Sequence, residues 1–280
     1  MPFEKLTIER HERVAWVTID NPPVNVMTRE LFIDLVKASS ELGEDDEISV
    51  VVLQSANPDF FIAHFDVELL VGAPLSSSPE PPSELNLFDQ MCERFRTMPK
   101  VTICKIAGRV GGGGSELAMA CDMRFGALER AVMNQMEVPI GIIPGGGGTQ
   151  RLPRLIGWNR AAEIIFGGID LDAETGERWG YFNRALPADA LDDHVGALAA
   201  RIASFSPDAL RHAKAAMLEG QAPLESGLMN ETHHFDQLMA QPESRALMQR
   251  FLDLGGQTAA GEMDVAALSA HTAASMREQS

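Results

Sequence analysis

Four consecutive glycines, Gly111 to Gly114, stand directly before Ser115-Glu116 and an apolar helical run that ends at Cys121. No other stretch limits the fold so tightly. Glycine admits φ > 0 and lets a ligand or a second backbone approach without a Cβ in the way, so the segment reads as a tight turn entering a helix. The helix N-terminus supplies N–H groups without intrahelical partners and the positive end of the dipole. Bare donors beside a carboxyl group suit oxyanion chemistry. Taken alone, the run also fits an ordinary glycine turn with Glu116 as an acidic first-turn residue.

A second glutamate breaks the tie. Glu137 precedes Val138-Pro139-Ile140-Gly141-Ile142-Ile143-Pro144, and Gly145 to Gly148, Thr149, Gln150 and Arg151 follow. Each glutamate is thus tied to a glycine-rich turn. Together the segments resemble the crotonase family, the enoyl-CoA hydratase/isomerase superfamily, with its patterns GxxxGGGxELAxxCD and a glutamate shortly before GxxPGxGGTQRLPRxxG. They fall here at 108–122 and 137–157. Asn21-Pro22-Pro23-Val24-Asn25-Val26-Met27 resembles the family's NPPxNxL/M turn, and Phe60 to Asp66 its FxAGAD loop. Ser206-Pro207-Asp208-Ala209 with Lys214 resembles the start of its C-terminal helices, and the likeness spans about residues 5 to 255.

The resemblance implies an α/β fold, with a crotonase-like spiral core of ββα repeats over 1–190 and a C-terminal helical trimerisation region over 191–257. An extra tail, 258–280, forms a helix over Glu262 to Ala274 or frays. It implies an oxyanion hole from the backbone N–H groups of Phe65 and Gly113, with Val24, Ala63, Asp66 and Gly112 lining the site for substrate and coenzyme A. Glu116 and Glu137 supply acid and base, which in hydratases hold the water added to a trans-2-enoyl-CoA. Members that only move a double bond usually keep the second glutamate alone, so Glu116 favours hydration. An isomerase, hydrolase or decarboxylase on the same scaffold stands as an alternative, as does a non-catalytic acyl-CoA-binding subunit. No cofactor is implied beyond the coenzyme A of the substrate, and no metal. The expected assembly is a homotrimer or a dimer of trimers.

The loop departs from the family at His64 and Phe65, where Gly and Ala are usual. Two bulky residues there would reshape the site. His64 reads either as a side chain bonded to loop backbone or as a titrating partner in catalysis.

Bulk properties narrow the partners. A chain of 280 residues with 45% hydrophobic and 22% charged residues has an ordinary globular composition. The net charge of −17 opposes non-specific nucleic-acid binding. It also obliges a protein that binds phosphates to gather basic groups locally or to use helix N-termini; Arg29, Lys100, Lys105, Arg109, Arg151 and Arg154 are the candidates, each reading equally as a solvated surface charge or a structural ion pair. No apolar run reaches the ~18 residues of a membrane span, and the first residues lack a signal-peptide core. A cytoplasmic location is expected. Cys92, Cys104 and Cys121 lack CxxC spacing and sit among apolar residues, so they read as buried free thiols. No P-loop, HExxH or GxSxG pattern is present.

Local patterns place the elements. Lys5 to Asp20 reads as a hairpin turning at Glu9 to Arg13, and Thr28 caps a helix from Arg29 to about Leu42. Ser49 to Gln54 and Val101 to Ala107 are buried strands. Residues 72–86, with four prolines, read as a mobile loop. Beyond Leu191 helical patterns follow, centred on 195–205, 210–217, 228–239 and 247–254.

Overall fold

Short β-branched runs alternating with helical patterns give strands that need cover on both faces, and in the computed structural model two sheets share that cover. The structure describes residues 2–67, 69, 85–138, 142–221, 246, 250, 253–254, 271 and 275. β1 (Leu6–His11) and β2 (Val14–Ile19) form the antiparallel hairpin. Its turn is tighter than the sequence reading: only Glu12 and Arg13 turn, with Glu12 at φ 50°. The charged residues before them continue the strand because it is a sheet edge, where their side chains face solvent. Thr28 caps α1 (Arg29–Glu44) by accepting from the Leu31 N–H, and Leu31, Leu35, Ala38 and Leu42 form the buried stripe.

A strand–strand–helix unit then recurs. β3 (Val50–Ser55), β4 (Phe60–Ile62) and α2 (Leu87–Thr97) make the first pass. β5 (Val101–Ile106), β6 (Arg109–Gly111) and α3 (Gly112–Ala120) make the second. β7 (Met123–Ala127), β8 (Val132–Asn134) and α4 (Gly148–Ile156) make the third. Then come α5 (Trp158–Gly167), β9 (Leu171–Asp172), α6 (Ala173–Trp179), β10 (Arg184–Leu186), α7 (Leu191–Ala203) and α8 (Pro207–Glu219). The large sheet runs β1-β2-β3-β5-β7-β10 and the small one β4-β6-β8-β9. Each pass adds one strand to each sheet, parallel to the last, which is the ββα spiral the sequence implied.

Alternate residues of the large sheet go to opposite sides. Val17, Ile19, Val51, Leu53, Cys104 and Ile106 join the core with α1, α2 and α3. Val14, Val50, Val52, Ile103 and Phe125 are covered by Leu191, Val195 and Ala199 of α7. The helix that opens the C-terminal region therefore closes the outer face of the sheet. The helical patterns at 228–239, 247–254 and 262–274, and the proline-rich loop, fall largely or wholly outside the described residues. All three cysteines are buried and free, and no helix among the described residues is long and apolar enough to cross a membrane.

Candidate active site

The second pass of the spiral brings the glycine run to the junction of β6 and α3. Gly111 caps α3 without a side-chain hydrogen bond, and every residue of the helix is buried. Its first N–H groups have no intrahelical partner, and the cap supplies them no side-chain acceptor. Gly112 has φ +45°, and a Cβ there would lie 2.9 Å from Glu137 Oε1. Both the left-handed turn and the approach of the carboxylate require glycine at this position. Glu116 is the fifth residue of α3, beyond its first turn, so the reading of it as an acidic first-turn residue fails.

The loop after β4 faces this helix end. Met27 and Phe65 form a parallel bridge, in which the Met27 N–H donates to His64 O at 2.9 Å and the Asp66 N–H to Met27 O at 3.2 Å. A parallel bridge uses the groups of the residues flanking Phe65. The N–H of Phe65 itself is thereby turned away from Met27. Gly113 lies beside it, since a Cβ on Gly113 would be 3.2 Å from Phe65 Cβ. Asn25 fixes the approach to the loop, donating to Ser55 Oγ, Phe60 O and Phe61 O at 2.8 to 3.2 Å.

Both glutamates are buried, Glu116 at 4% exposure and Glu137 at 7%. Glu116 Oε1 accepts from the N–H groups of Gly146 and Gly148, each at 2.8 Å. Burial raises its carboxyl above the usual range, and the two backbone donors oppose that rise. Glu137 is less supported, with only its own backbone N–H opposing the rise. Its Oε2 has no hydrogen-bond partner among the described residues, and burial, with the charge of Glu116 nearby, pushes it up to about 7. Both carboxyls are thus raised by burial, and only that of Glu116 has two glycine N–H donors opposing the rise.

Two contributors, Gln135 and Phe88, escaped the sequence reading, and the role of a third, Arg151, was left open by it. Gln135 is fully buried, and its Oε1 lacks a partner among the described residues. Its place two residues before Glu137 was the only available signal. Of the readings open for Arg151 the structure has the ion pair: it pairs with Glu93 at 2.8 Å and donates to Gly146 O at 2.8 Å, so it anchors the turn that holds Glu116. Gly147, at φ +101°, leaves the room the guanidinium occupies. Phe88 of α2 lies against Gly113 and Gly146. Of the other basic candidates, Lys105 pairs with Asp192 and Arg109 with Asp170, at 2.6 and 2.7 Å.

A cavity of about 500 Å³ opens beside the centre. Val24, Ala63, His64, Gly111 and Asn134 line it, with Arg109 also contributing. Asp66 stands just before helical Val67, half-buried. His64 Nδ1 is 2.8 Å from Phe65 O. That oxygen can only accept, so Nδ1 carries the proton, as in the reading that bonds this histidine to loop backbone.

Comparison with known proteins agrees with the geometry. Residues 9–257 match the family model described as enoyl-CoA hydratase/isomerase. The chain is 31% identical over 255 residues to the 2,3-dehydroadipyl-CoA hydratase of Escherichia coli, covering 89% of this chain and 96% of that one. It is 29% identical to the crotonyl-CoA hydratase of Syntrophomonas wolfei, over 90% of this chain and 96% of the relative. The crystal structure of an enoyl-CoA hydratase from Bacillus anthracis superposes with a TM-score of 0.81 at 28% identity, covering 89% and 96% of the two chains.

Proposed function

Because the chain belongs to the enoyl-CoA hydratase/isomerase family, we propose that it is a hydratase that adds water to a trans-2-enoyl-CoA. The observation that carries this is the pair of buried glutamates with opposed environments, Glu116 held by two N–H donors and Glu137 by none on Oε2. The thioester oxygen accepts from the N–H groups of Phe65 and Gly113. Its coenzyme A arm leaves along Val24, Ala63 and Asp66, through the open cavity, with Gly112 as the close backbone wall.

A water molecule donates to the two carboxyl groups. Glu116, whose charged form is the better supported, takes the proton as the oxygen bonds to Cβ. The double-bond electrons move toward the thioester oxygen, where the two N–H groups stabilise the enolate, and Glu137 delivers its proton to Cα. Preorganised donors of this kind contribute about 2.7 to 4 kcal/mol each.

The test is incubation with crotonyl-CoA, following loss of the conjugated thioester absorbance. Loss with formation of the 3-hydroxyacyl product supports the reading. Conversion of a 3-enoyl-CoA without hydration would make the enzyme an isomerase, and binding without either reaction would leave an acyl-CoA-binding subunit.

The assembly belongs to the same proposal. Trp158 and Phe166 of α5 are 70% and 69% exposed, with Leu155 and Ile169 near them in sequence. Large apolar side chains concentrated on one helix are rarely left to water. Light scattering at micromolar concentration is expected to give a trimer or a dimer of trimers, and a stable monomer would refute it.

A further inference from the structure

Three phenylalanines from separate parts of the chain meet beside Gly113 and Gly146. Phe32 of α1 stacks on Phe88 of α2, with ring centroids 6.2 Å apart and planes 9° apart. Phe65 of the oxyanion loop sets its ring edge-on to both, at 6.2 and 6.0 Å. The cluster is half-buried and packs against the main core.

Its position follows from what it touches. A Cβ on Gly113 would lie 3.2 Å from Phe65 Cβ and 3.4 Å from Phe88 Cε2 and Cζ. A Cβ on Gly146 would collide with the Phe88 ring and lie 2.7 Å from Glu116 Oε2. The Phe88 ring and the free oxygen of Glu116 therefore flank the same point. A thioester held by Phe65 and Gly113 has two directions in which to continue. Coenzyme A, long and polar, needs the open cavity lined by Val24, Ala63 and His64. The acyl carbons must pass Glu116 for water to reach Cβ, and beyond Glu116 they meet Phe88.

We propose that Phe88, backed by Phe32 and Phe65, closes the acyl end of the site and restricts the enzyme to short acyl groups. The inference rests on the acyl-CoA reading above and adds the chain length. Three rings in mutual contact resist displacement, because moving Phe88 breaks its stacking on Phe32 and its edge contact with Phe65. An acyl chain of four carbons ends near the ring. One of eight carbons has to displace it.

The test compares wild type with Phe88→Ala, and with Phe88→Leu in case the larger cavity prevents folding. Butyryl-CoA and octanoyl-CoA are saturated, so calorimetry reads the fit of the acyl chain whether or not hydration occurs. Crotonyl-CoA and trans-2-octenoyl-CoA then give the ratio of kcat/KM. A methylene that finds apolar room strengthens binding about fourfold. Wild type is expected to gain nothing from the four extra methylenes of octanoyl-CoA, and either variant to raise the octanoyl-to-butyryl affinity ratio at least ~10-fold. Wild type that already binds octanoyl-CoA ~10-fold tighter, variants with an unmoved ratio, or absence of binding by any acyl-CoA overturns the proposal. If the affinity ratio moves as expected while no enoyl-CoA is hydrated, the chain-length inference stands and the hydratase reading falls.

Discussion

Glu137→Gln and Glu116→Gln are each expected to lower hydration of crotonyl-CoA by at least ~10²-fold while acyl-CoA binding persists, because each removes a proton transfer and keeps the shape. In Glu116→Gln the amide oxygen can still accept from the N–H groups of Gly146 and Gly148. The pH dependence separates the two roles. Glu137 titrates near 7, raised by burial and by the charge of Glu116, so a Glu137 that donates its proton is competent below that pH. Wild-type kcat/KM should then fall as pH rises through about 7. The acid limb belongs to Glu116, raised above the usual carboxylate range by burial, and since the groups interact, both limbs report the pair. Turnover against pH for the three proteins decides it. A variant near wild-type turnover removes that glutamate from the mechanism, and a limb near 7 that survives in Glu137→Gln reassigns the acid.

The same titration has a consequence for stability. A carboxyl raised from 4.5 to about 7 in the folded state contributes its full stability below pH 4.5 and loses it as pH climbs to 7. Above 7 the buried charge costs on the order of 3 kcal/mol, from about 1.4 kcal/mol for each pH unit of displacement. Glu137→Gln is free of that cost. Denaturant unfolding at pH 8 should show the inactive variant to be the more stable, which ties the price of the site to its function.

Much of this was legible in the chain because the motifs are backbone motifs. The glycines at 111–114 and 145–148 fix where the chain bends and where N–H groups are bare, and these properties need no knowledge of distant partners. The buried strands were equally plain, since Val50 to Leu53 is apolar at every position and only a doubly covered strand requires that. What escaped depends on long-range packing. Arg151 could be read as a phosphate ligand, a surface charge or an ion-pair partner, and nothing near it in sequence shows that Glu93 stands opposite. Phe32, Phe65 and Phe88 lie in separate parts of the chain, and no periodicity within one element predicts that they meet. The hairpin turn was placed too wide because charge was read as turn, whereas an exposed edge strand carries charge as readily.

Neighbouring glycines of the same run should fail in opposite ways. Gly114→Ala places a Cβ 2.5 Å from Ile62 O and 2.7 Å from Ile62 Cβ, where strand β4 cannot retreat without breaking its pairing with β6. That variant should be strongly destabilised, with the loss of folded protein accounting for its loss of activity. Gly113→Ala meets Phe65 Cβ at 3.2 Å and the Phe88 ring at 3.4 Å, approaches that a shift of a few tenths of an ångström relieves, far milder than those at Gly114. Alanine also restricts the unfolded chain more than glycine does, which offsets part of the crowding, so the folding midpoint should move far less than in Gly114→Ala. On the proposed reading, in which the Gly113 N–H holds the thioester oxygen, a methyl group beside that donor crowds the bound thioester out of line. Losing alignment to one donor costs about 2.7 to 4 kcal/mol of transition-state stabilisation, or ~10²- to 10³-fold in turnover. Thermal unfolding and crotonyl-CoA kinetics on both variants read the two effects separately. A Gly113→Ala enzyme that is folded and fully active would place the oxyanion hole elsewhere.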